Sequence, residues 1–295
     1  MTFPLGPLAA LGSSFTWAYA STRYAVASRE AGSVRVNLTR AMVVLPIYLT
    51  VAVAIHGMGA LHGLGTTGLG WLAASVFCSY GLADGLFFAA ARRVGVSTAL
   101  SIASSYPLWA ALVGTLRGEP FGWSRAAGTL LCVFGVIGLV ALSRREADIA
   151  RSRGDLIGLG LAFATSFLWA GNSVAVKHGS VGLDVWQVNG VRYAIAIVVL
   201  GSQLAVTHAF RGAPTTPRRP LLPGLIPAIL VDAFLGSIFF VYGLGHTDLA
   251  VGASLSSLAP LLSVPIAIAL GEERWSPPRL LAITATVGGI VLLLL

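Results

Sequence analysis

Charged residues are scarce in this chain of 295 residues: Asp, Glu, Lys and Arg make up 10% of it, whereas hydrophobic residues make up 56%. A soluble domain usually carries about 25% charged residues, because its surface must be hydrated. The mean hydropathy is +0.84, and apolar segments of about 20 residues, long enough to cross a hydrocarbon layer about 30 Å thick, follow one another along the chain. The sequence therefore predicts an integral membrane protein.

Three further absences narrow the class of membrane protein. Short segments of alternating polarity, typical of an outer-membrane barrel, are missing, so we expect helical spans. The formal net charge is +8, but the basic residues are spread over many loops and form no basic face, which argues against nucleic acid as a partner. Cys78 and Cys132 lie inside apolar segments and match no metal or redox spacing. We expect no metal and no cofactor.

The chain contains an internal duplication. The segment Val36–Arg40 (VNLTR) recurs as Val188–Arg192 (VNGVR), 152 positions later. The same shift carries Trp17 onto Trp169 and Phe87-Phe88 onto Phe239-Phe240, and a shift of 153 carries Pro107 onto Pro260 and Gly118-Glu119 onto Gly271-Glu272. Matches that keep one order across both halves indicate a repeat architecture.

Apolar runs predict ten spans, five in each half. Those of the first half cover Leu8–Ala27, Leu38–Ile55, Leu69–Ala91, Ser97–Leu116 and Ala126–Leu142. Those of the second half cover Leu156–Val176, Gln187–Thr207, Leu221–Tyr242, Leu249–Leu270 and Leu280–Leu295. The expected organisation is one five-helix repeat over residues 1–142, a charged linker over 143–155 and a second five-helix repeat over 156–295.

An odd number of spans in each half makes the second half enter the bilayer from the opposite side. The loop charges agree, since basic residues concentrate on one predicted side. That side carries Arg29, Arg35, Arg92, Arg93, Arg144, Arg145, Arg151, Arg153, Arg211, Arg218, Arg219, Arg274 and Arg279, and the other carries Arg117, Arg125 and Lys177. We therefore expect an all-α integral membrane protein of ten transmembrane helices in two inverted five-helix repeats, with the arginine-rich side in the cytoplasm.

Several paired motifs resemble those of one transporter family. They are Trp17-Ala18 and Trp169-Ala170, the arginine early in each second span, and the proline followed by Gly-Glu around each fourth span. Over nearly its whole length the chain resembles the drug/metabolite transporter superfamily, EamA type. The resemblance implies a basket of helices around a central cavity in the bacterial inner membrane and secondary transport of a small metabolite, often export. Neutral or zwitterionic metabolites, amino acids and lipophilic drugs all fit as substrates.

Polar side chains inside the spans are the candidates for binding substrate, because a polar group in hydrocarbon is costly unless it faces protein or water. Those in the first, second, third, sixth and seventh spans are Trp17, Ser21, Asn37, Tyr80, Trp169, Asn172 and Asn189. Trp17 and Trp169 lie near mid-span, which favours a cavity wall over the alternative that they anchor the helices at the membrane interface. The alternative for the small polar residues is close helix packing.

The fourth and ninth spans are expected to break at Pro107 and Pro260, because proline removes a backbone donor. Serines precede both prolines at corresponding positions: Ser101, Ser104, Ser254 and Ser257. Interrupted helices at matching places in two inverted halves point to a transporter's substrate site. A packing kink whose freed carbonyls are satisfied by serine hydroxyls explains the same pattern and is compatible with it.

Besides Arg23 near the end of the first span, four charged residues are placed inside spans. A guanidinium fits carboxylate or phosphate, but Arg40 and Arg192 are predicted only about one turn inside their helices, from where a long side chain reaches the headgroups. This second interpretation is favoured. Asp84 and Asp232 lie deeper, and an acid there is a functional hypothesis by default. Either hydrogen bonds from Tyr80 or nearby serines hold the acids, or at least one of them exchanges a proton and couples transport to the proton gradient.

Two other classes of function are weaker alternatives. An intramembrane enzyme would need a nucleophile, base or metal motif, and no H-E-x-x-H, G-x-S-x-G or phosphate loop occurs. A non-transporting receptor or assembly factor is disfavoured because no sizeable polar segment is available to signal through. The expected partners are a small-molecule substrate and the lipid bilayer.

Overall fold

The computed structural model describes residues 5–59, 63–142, 155–211, 222–262 and 277–294, and every regular element in these ranges is helical. The linker predicted over 143–155 lies, apart from Asp155, outside the described residues, and so does Glu272.

The helices follow the predicted order of spans. In the first half they are α1 (Leu5–Ala31), α2 (Ser33–His56), α3 (Thr66–Val76), α4 (Ala83–Val94), α5 (Val96–Ala103), α6 (Tyr106–Leu116) and α7 (Trp123–Leu142). In the second half they are α8 (Leu156–Gly179), α9 (Val185–Arg211), α10 (Leu222–Ala228), α11 (Ser237–Gly245), α12 (Leu249–Ser256) and α13 (Pro277–Leu294). The third and fourth spans of each half are therefore each divided in two.

A single glycine joins α1 to α2. Gly32 has φ +86° and ψ 146°, a conformation that is nearly restricted to glycine, so one helix follows the other across one residue. As a result α2 begins at Ser33 rather than at the predicted Leu38. At 3.6 residues per turn, Arg40 then lies about two turns inside the helix instead of one.

The third span of each half contains a π-helical segment at the same place. These segments are π1 (Phe77–Gly81) and π2 (Ile229–Gly236), whose first residues are separated by the 152-residue repeat shift. The predicted spans Leu69–Ala91 and Leu221–Tyr242 correspond to the long helical segments Thr66–Val94 and Gly224–Gly245, but the π-helical turns inside them were not predicted. Wide turns of this kind are rare and occur mostly at functional sites.

The predicted breaks in the fourth spans are confirmed. Helix α5 ends at Ala103 and α6 starts at Tyr106 with Pro107 in its first turn, while α12 ends at Ser256 and the helix resumes over residues 259–262. Serine hydroxyls satisfy carbonyls at both breaks: Ser105 Oγ donates to Ile102 O at 2.7 Å and Ser257 Oγ to Ser254 O at 2.8 Å. The hydroxyls compensate for hydrogen bonds that the interrupted helices lose.

Equivalent helices of the two halves pack against each other in reciprocal pairs. Helix α2 packs on α9 and α7 packs on α13, while α4 packs on α8 and α11 packs on α1. Each half thus contributes its third span to the first span of the other half. This exchange is the contact pattern expected of a two-repeat architecture.

Five helical segments in the described ranges are long and apolar enough to cross a membrane: Ser33–His56, Thr66–Val94, Leu156–Gly179, Val185–Phe210 and Gly224–Gly245. Shorter apolar helices cover Tyr106–Leu116, Trp123–Gly138, Leu249–Leu262 and Leu280–Leu294. Large apolar side chains such as Phe134, Phe167 and Val198 are more than half exposed, which suits contact with lipid rather than water. The number of ten spans stays a prediction.

Candidate functional site

A cavity of about 150 Å³ lies between the two halves. At about 30 Å³ per water molecule, a space of this size holds on the order of five waters. Its wall is formed by α1, α2, α4 and π1 of the first half, by α8, α9, π2 and α11 of the second, and by both interrupted fourth spans. The cavity therefore lies where the two repeats meet.

Two tryptophans that correspond in the repeat meet in the cavity wall. The ring centroids of Trp17 and Trp169 are 6.3 Å apart, with the rings at 86° in an edge-to-face contact. Tyr106, which follows the break in the fourth span, makes a second edge contact with Trp169 at 6.1 Å. Both tryptophans are half-buried and pack on the core between the halves. This position agrees with the prediction that both tryptophans contribute to the cavity wall.

One arginine pairs with an acid from each half. Arg40 Nη2 lies 2.9 Å from Asp232 Oδ2, and Nη1 lies 3.4 Å from Asp84 Oδ2. Asn37 Nδ2 donates to the same Asp84 oxygen at 2.9 Å, and Arg40 Nη1 donates to Asn37 Oδ1 at 2.9 Å. The arginine side chain is only 4% exposed. With both acids ionised, this buried cluster carries one excess negative charge.

Tyrosines surround the guanidinium of Arg40 and fix π2. The Cζ atom of Arg40 lies 4.2 Å from the ring centroid of Tyr24 and 5.4 Å from that of Tyr80, within cation–π range. The Tyr24 hydroxyl donates to Ala228 O at 2.9 Å, immediately before π2, and Tyr193 donates to Ala233 O at 2.8 Å within it. These bonds position Asp232 opposite Arg40.

Arg192, the counterpart of Arg40, has a different environment. Its Nε donates to Ser75 Oγ at 3.0 Å and its Nη2 to Asn172 Oδ1 at 3.1 Å, and the residue is 1% exposed. In the described part of the chain it forms no ion pair. The prediction that both arginines extend to the headgroups was wrong. Both helices begin earlier than predicted, so the two side chains lie deep in the bundle and point inward.

Most of the other predicted site residues are brought together at the cavity. Those that line it, besides the tryptophans, are Tyr80, Ser104, Asn172, Ser257, Asp84 and Asp232. Asn37 is buried behind Asp84 and acts on the cavity through that acid. The expectation that Tyr80 or nearby serines hold the acids was wrong, because Arg40 and Asn37 donate hydrogen bonds to Asp84, and Arg40 donates one to Asp232.

Four predicted residues are not placed in the wall. Ser21 is half-buried on α1 away from the cavity, because Tyr24 fills the space between Trp17 and Arg40. Ser254 is buried against α7, where its hydroxyl lies 3.4 Å from Thr129 Oγ1. Asn189 is buried, and neither polar atom of its side chain has a hydrogen-bond partner among the described residues. The side chain of Ser101 lies outside the described residues.

Sequence reasoning missed several wall residues. Besides the two arginines these include Ser79, Tyr106, Ser237 and Ser256. Ser256 illustrates why: its hydroxyl oxygen lies 3.1 Å from that of Ser13 and joins α12 to α1, a pairing that no spacing along the chain reveals. The described residues contain no group of three or more His, Cys, Asp or Glu that could hold a metal ion.

Comparison with known proteins agrees with this architecture. The EamA-like transporter family model matches residues 4–141 and again 156–295. A solved structure described only as "Crystal structure of protein" has a TM-score of 0.68 at 19% identity, over 97% of this chain and 96% of its own, which shows a shared fold alone. No curated protein matches. The two family matches indicate a multi-pass integral membrane protein that transports small molecules, and the chain belongs to the EamA-like transporter family.

Proposed function

We propose that this protein is a secondary active transporter that carries a small metabolite across the cell membrane by alternating access. Its ten spans form two inverted repeats, and the cavity between them is the substrate site. The observation that carries the proposal is the pairing of Arg40 with one acid from each half at the wall of that cavity. A buried ionic cluster between two repeats is costly to keep and is typical of a transport or proton pathway.

The cavity favours a small substrate that is neutral or zwitterionic overall. Its volume of about 150 Å³ leaves no room for a large solute, and the aromatic faces of Trp17, Tyr106 and Trp169 provide an apolar wall. The four ionised side chains at the wall, Arg40, Arg192, Asp84 and Asp232, sum to zero formal charge. We expect the protein to move such metabolites, or lipophilic compounds, out of the cell.

Proton coupling follows from the sharing of one arginine by two acids. When a proton binds one carboxylate, Arg40 keeps only the other as its charged partner. Asp84 belongs to α4 of the first half and Asp232 to π2 of the second, so protonation decides to which half the guanidinium is held. A ligand or proton shifts a conformational equilibrium only through such differential contacts. The proton thereby influences how the two halves sit against each other.

Two ion pairs connect the halves outside the cavity. Lys177 Nζ lies 3.1 Å from Glu119 Oε1, and Arg125 Nη1 lies 2.6 Å from Asp248 Oδ2. Glu119 also accepts the backbone N–H of Leu249 at 2.7 Å and so caps the start of α12. Breaking these contacts while forming others between the halves would expose the cavity to the other side, as alternating access requires.

The coupling test uses proteoliposomes loaded with a cell metabolite extract, from which mass spectrometry identifies the compound that the protein releases. With that compound, Asp84→Asn and Asp232→Asn should retain substrate exchange but lose accumulation driven by a pH gradient, because neither amide can carry the proton. Asp155→Asn, which removes an acid far from the cavity, is the matched control and should accumulate substrate normally. Normal accumulation by both cavity variants would show that neither acid carries the proton, and release no faster than from empty liposomes would refute transport.

The arginine-rich loops predict that both termini face the exterior. A reporter active only in the cytoplasm should work after Arg145 and fail at Leu295. The opposite pattern would reverse the orientation and leave the repeat intact.

A further inference from the structure

Arg192 is a buried charge whose described partners are all neutral. Ser75 and Asn172 accept from Nε and Nη2, and the residue is 1% exposed. Nη1 donates no hydrogen bond to any described residue, yet it is not among the fully enclosed polar atoms without a partner. Because Arg192 lines the cavity, the free side of its guanidinium is the part that a bound solute can reach.

The charges at the cavity wall are separated into two poles. With both acids ionised, the cluster of Arg40 and its two carboxylates carries one excess negative charge, whereas Arg192 has no carboxylate partner in the described ranges. The ring of Tyr80 lies near both poles, 5.4 Å from Arg40 Cζ and 5.7 Å from Arg192 Cζ. The two guanidinium carbons are thus no farther apart than the sum of these distances. One small molecule can contact both poles.

A buried cation without a counter-ion is unfavourable, because neutral acceptors replace only part of the hydration it loses. A purely structural role does not explain why position 192 holds an arginine, since the neutral amide of a glutamine could also form hydrogen bonds with Ser75 and Asn172 without the cost of a buried charge. An anion bound at the free side would supply the missing charge. A guanidinium offers two parallel N–H donors that match the two oxygens of a carboxylate.

We propose that Arg192 binds the carboxylate of the transported molecule. The proposal rests on the transport function proposed above and narrows its substrate to metabolites with one carboxylate. One unbalanced cation matches one negative charge. A phosphate dianion would add a second negative charge within reach of the Asp84–Arg40–Asp232 cluster and be repelled by it. The same contact accommodates a simple carboxylate or one that also carries an ammonium group, which the negative cluster would attract.

The test measures the melting temperature of the purified full-length protein in detergent against three probes with the same four-carbon chain: butanoate, its neutral amide butanamide, and the zwitterion 2-aminobutanoate. A ligand that binds the folded state raises the melting temperature in a saturable way. We expect both carboxylates to stabilise the parent at concentrations where butanamide has no effect. Stronger stabilisation by 2-aminobutanoate than by butanoate would assign the zwitterion, and the reverse order would assign the simple acid.

Variants separate recognition from bracing. Arg192→Gln should weaken carboxylate binding about tenfold or more, the scale of one charge-assisted hydrogen bond, and remove the preference for acid over amide. Arg192→Lys should keep part of that preference, because it retains the charge without the planar fork. Arg23→Gln, which changes an exposed arginine of α1, should match the parent. A bracing role alone would lower the melting temperature of Arg192→Gln but leave the acid-to-amide preference of the protein unchanged.

The inference is overturned if the parent responds equally to acid and amide, if it binds none of the carboxylates, or if Arg192→Gln keeps the preference. Flux of the same probes from liposomes distinguishes this failure from failure of the proposed transport. If the carboxylates bind the protein but do not cross the liposome membrane, the Arg192 site is supported and the proposed transport is contradicted. If the protein carries the probes across the membrane with no preference for acid over amide, the proposed transport is supported and the Arg192 site is contradicted.

Discussion

The two halves share an Asn-x-x-Arg pattern in their second spans and use it differently. In the first half, Asn37 and Arg40 bond each other and the acids Asp84 and Asp232. In the second, Asn189 has no hydrogen-bond partner among the described residues, and Arg192 bonds neutral acceptors. The helix framework is duplicated, but the ionic centre is not. Function is therefore expected where the repeats differ.

A glycine explains why the acids differ in position. Gly236 stands where the repeat shift would carry Asp84, and Asp232 stands where it would carry Tyr80. A Cβ atom on Gly236 would collide with Thr16 Oγ1 and lie 3.2 Å from Asp232 Oδ1. The packing of α1 on π2 thus leaves no space for a side chain there. The acid of the second half lies one turn earlier and reaches the same arginine.

The largest expected effect tests the charge balance at Arg40. Arg40→Met should destabilise the protein by about 3–5 kcal/mol, because it strands two buried carboxylates without their shared cation. Arg192→Met should have a smaller effect, since it strands only neutral acceptors. Melting temperatures in detergent measure both variants, and Arg23→Met, at an exposed arginine of α1, is the control.

Removing the acids should rescue the Arg40 variant. Adding Asp84→Asn and Asp232→Asn to Arg40→Met abolishes the unpaired charges, so this triple variant should melt above the single one. Equal losses for Arg40→Met and Arg192→Met, or a triple variant no more stable than the single one, would mean that the two halves do not differ in charge balance.

The helices could be predicted from the sequence because their signal is repeated and strong. Apolar length, the 152-residue shift and the two prolines were sufficient for the order of spans and for the breaks before Pro107 and Pro260. Helix ends were less accurate because glycine links such as Gly32 allow one helix to start directly after another. The π-helical segments were not predicted, since their wide turns depend on partners distant in sequence, such as the tyrosine that bonds Ala233 O.

The candidate site was only partly predictable. Trp17 and Trp169 were found because the repeat marks them as equivalent, and Asp84 and Asp232 because acids are rare inside spans. The roles of the arginines were missed for a geometric reason: the helix of Arg40 begins five residues before the predicted start and that of Arg192 two residues before it, so both side chains lie deeper than expected. Contacts between the halves, such as that of Arg40 with Asp232, depend on packing that one helix's spacing cannot show.

A smaller effect should separate the two asparagines. Asn37→Leu should cost about 1–3 kcal/mol, because it removes one hydrogen-bond donor to Asp84 and one acceptor of Arg40 in a buried cluster. Asn189→Leu should be neutral or stabilising, since it replaces a buried amide that has no described partner by an apolar group of similar size. Melting temperatures of the two variants under one condition give the comparison. A loss at Asn189 as large as that at Asn37 would reveal a partner for its amide and remove the asymmetry.

The smallest expected effect comes from an exposed ion pair between the halves. Asp155 accepts the backbone N–H of Gly158 at 2.8 Å as the N-cap of α8, and its Oδ2 lies 3.1 Å from Arg93 Nη1. The Gly158 hydrogen bond first, and the Arg93 charge in addition, lower the pKa of Asp155 from its usual 3.8. A lowered pKa in the folded state adds stability at pH values above the usual pKa, and this stability is lost as the pH falls through the folded-state pKa.

Asp155→Asn should therefore melt about 2 °C or less below the parent at pH 7, because solvent screens the pair. This difference in melting temperature should close below pH 3.8. If the difference in melting temperature stays the same in acid, it comes from the changed side-chain geometry and not from the charge of Asp155. The smaller effect relative to the Arg40 cluster would then be explained by burial alone.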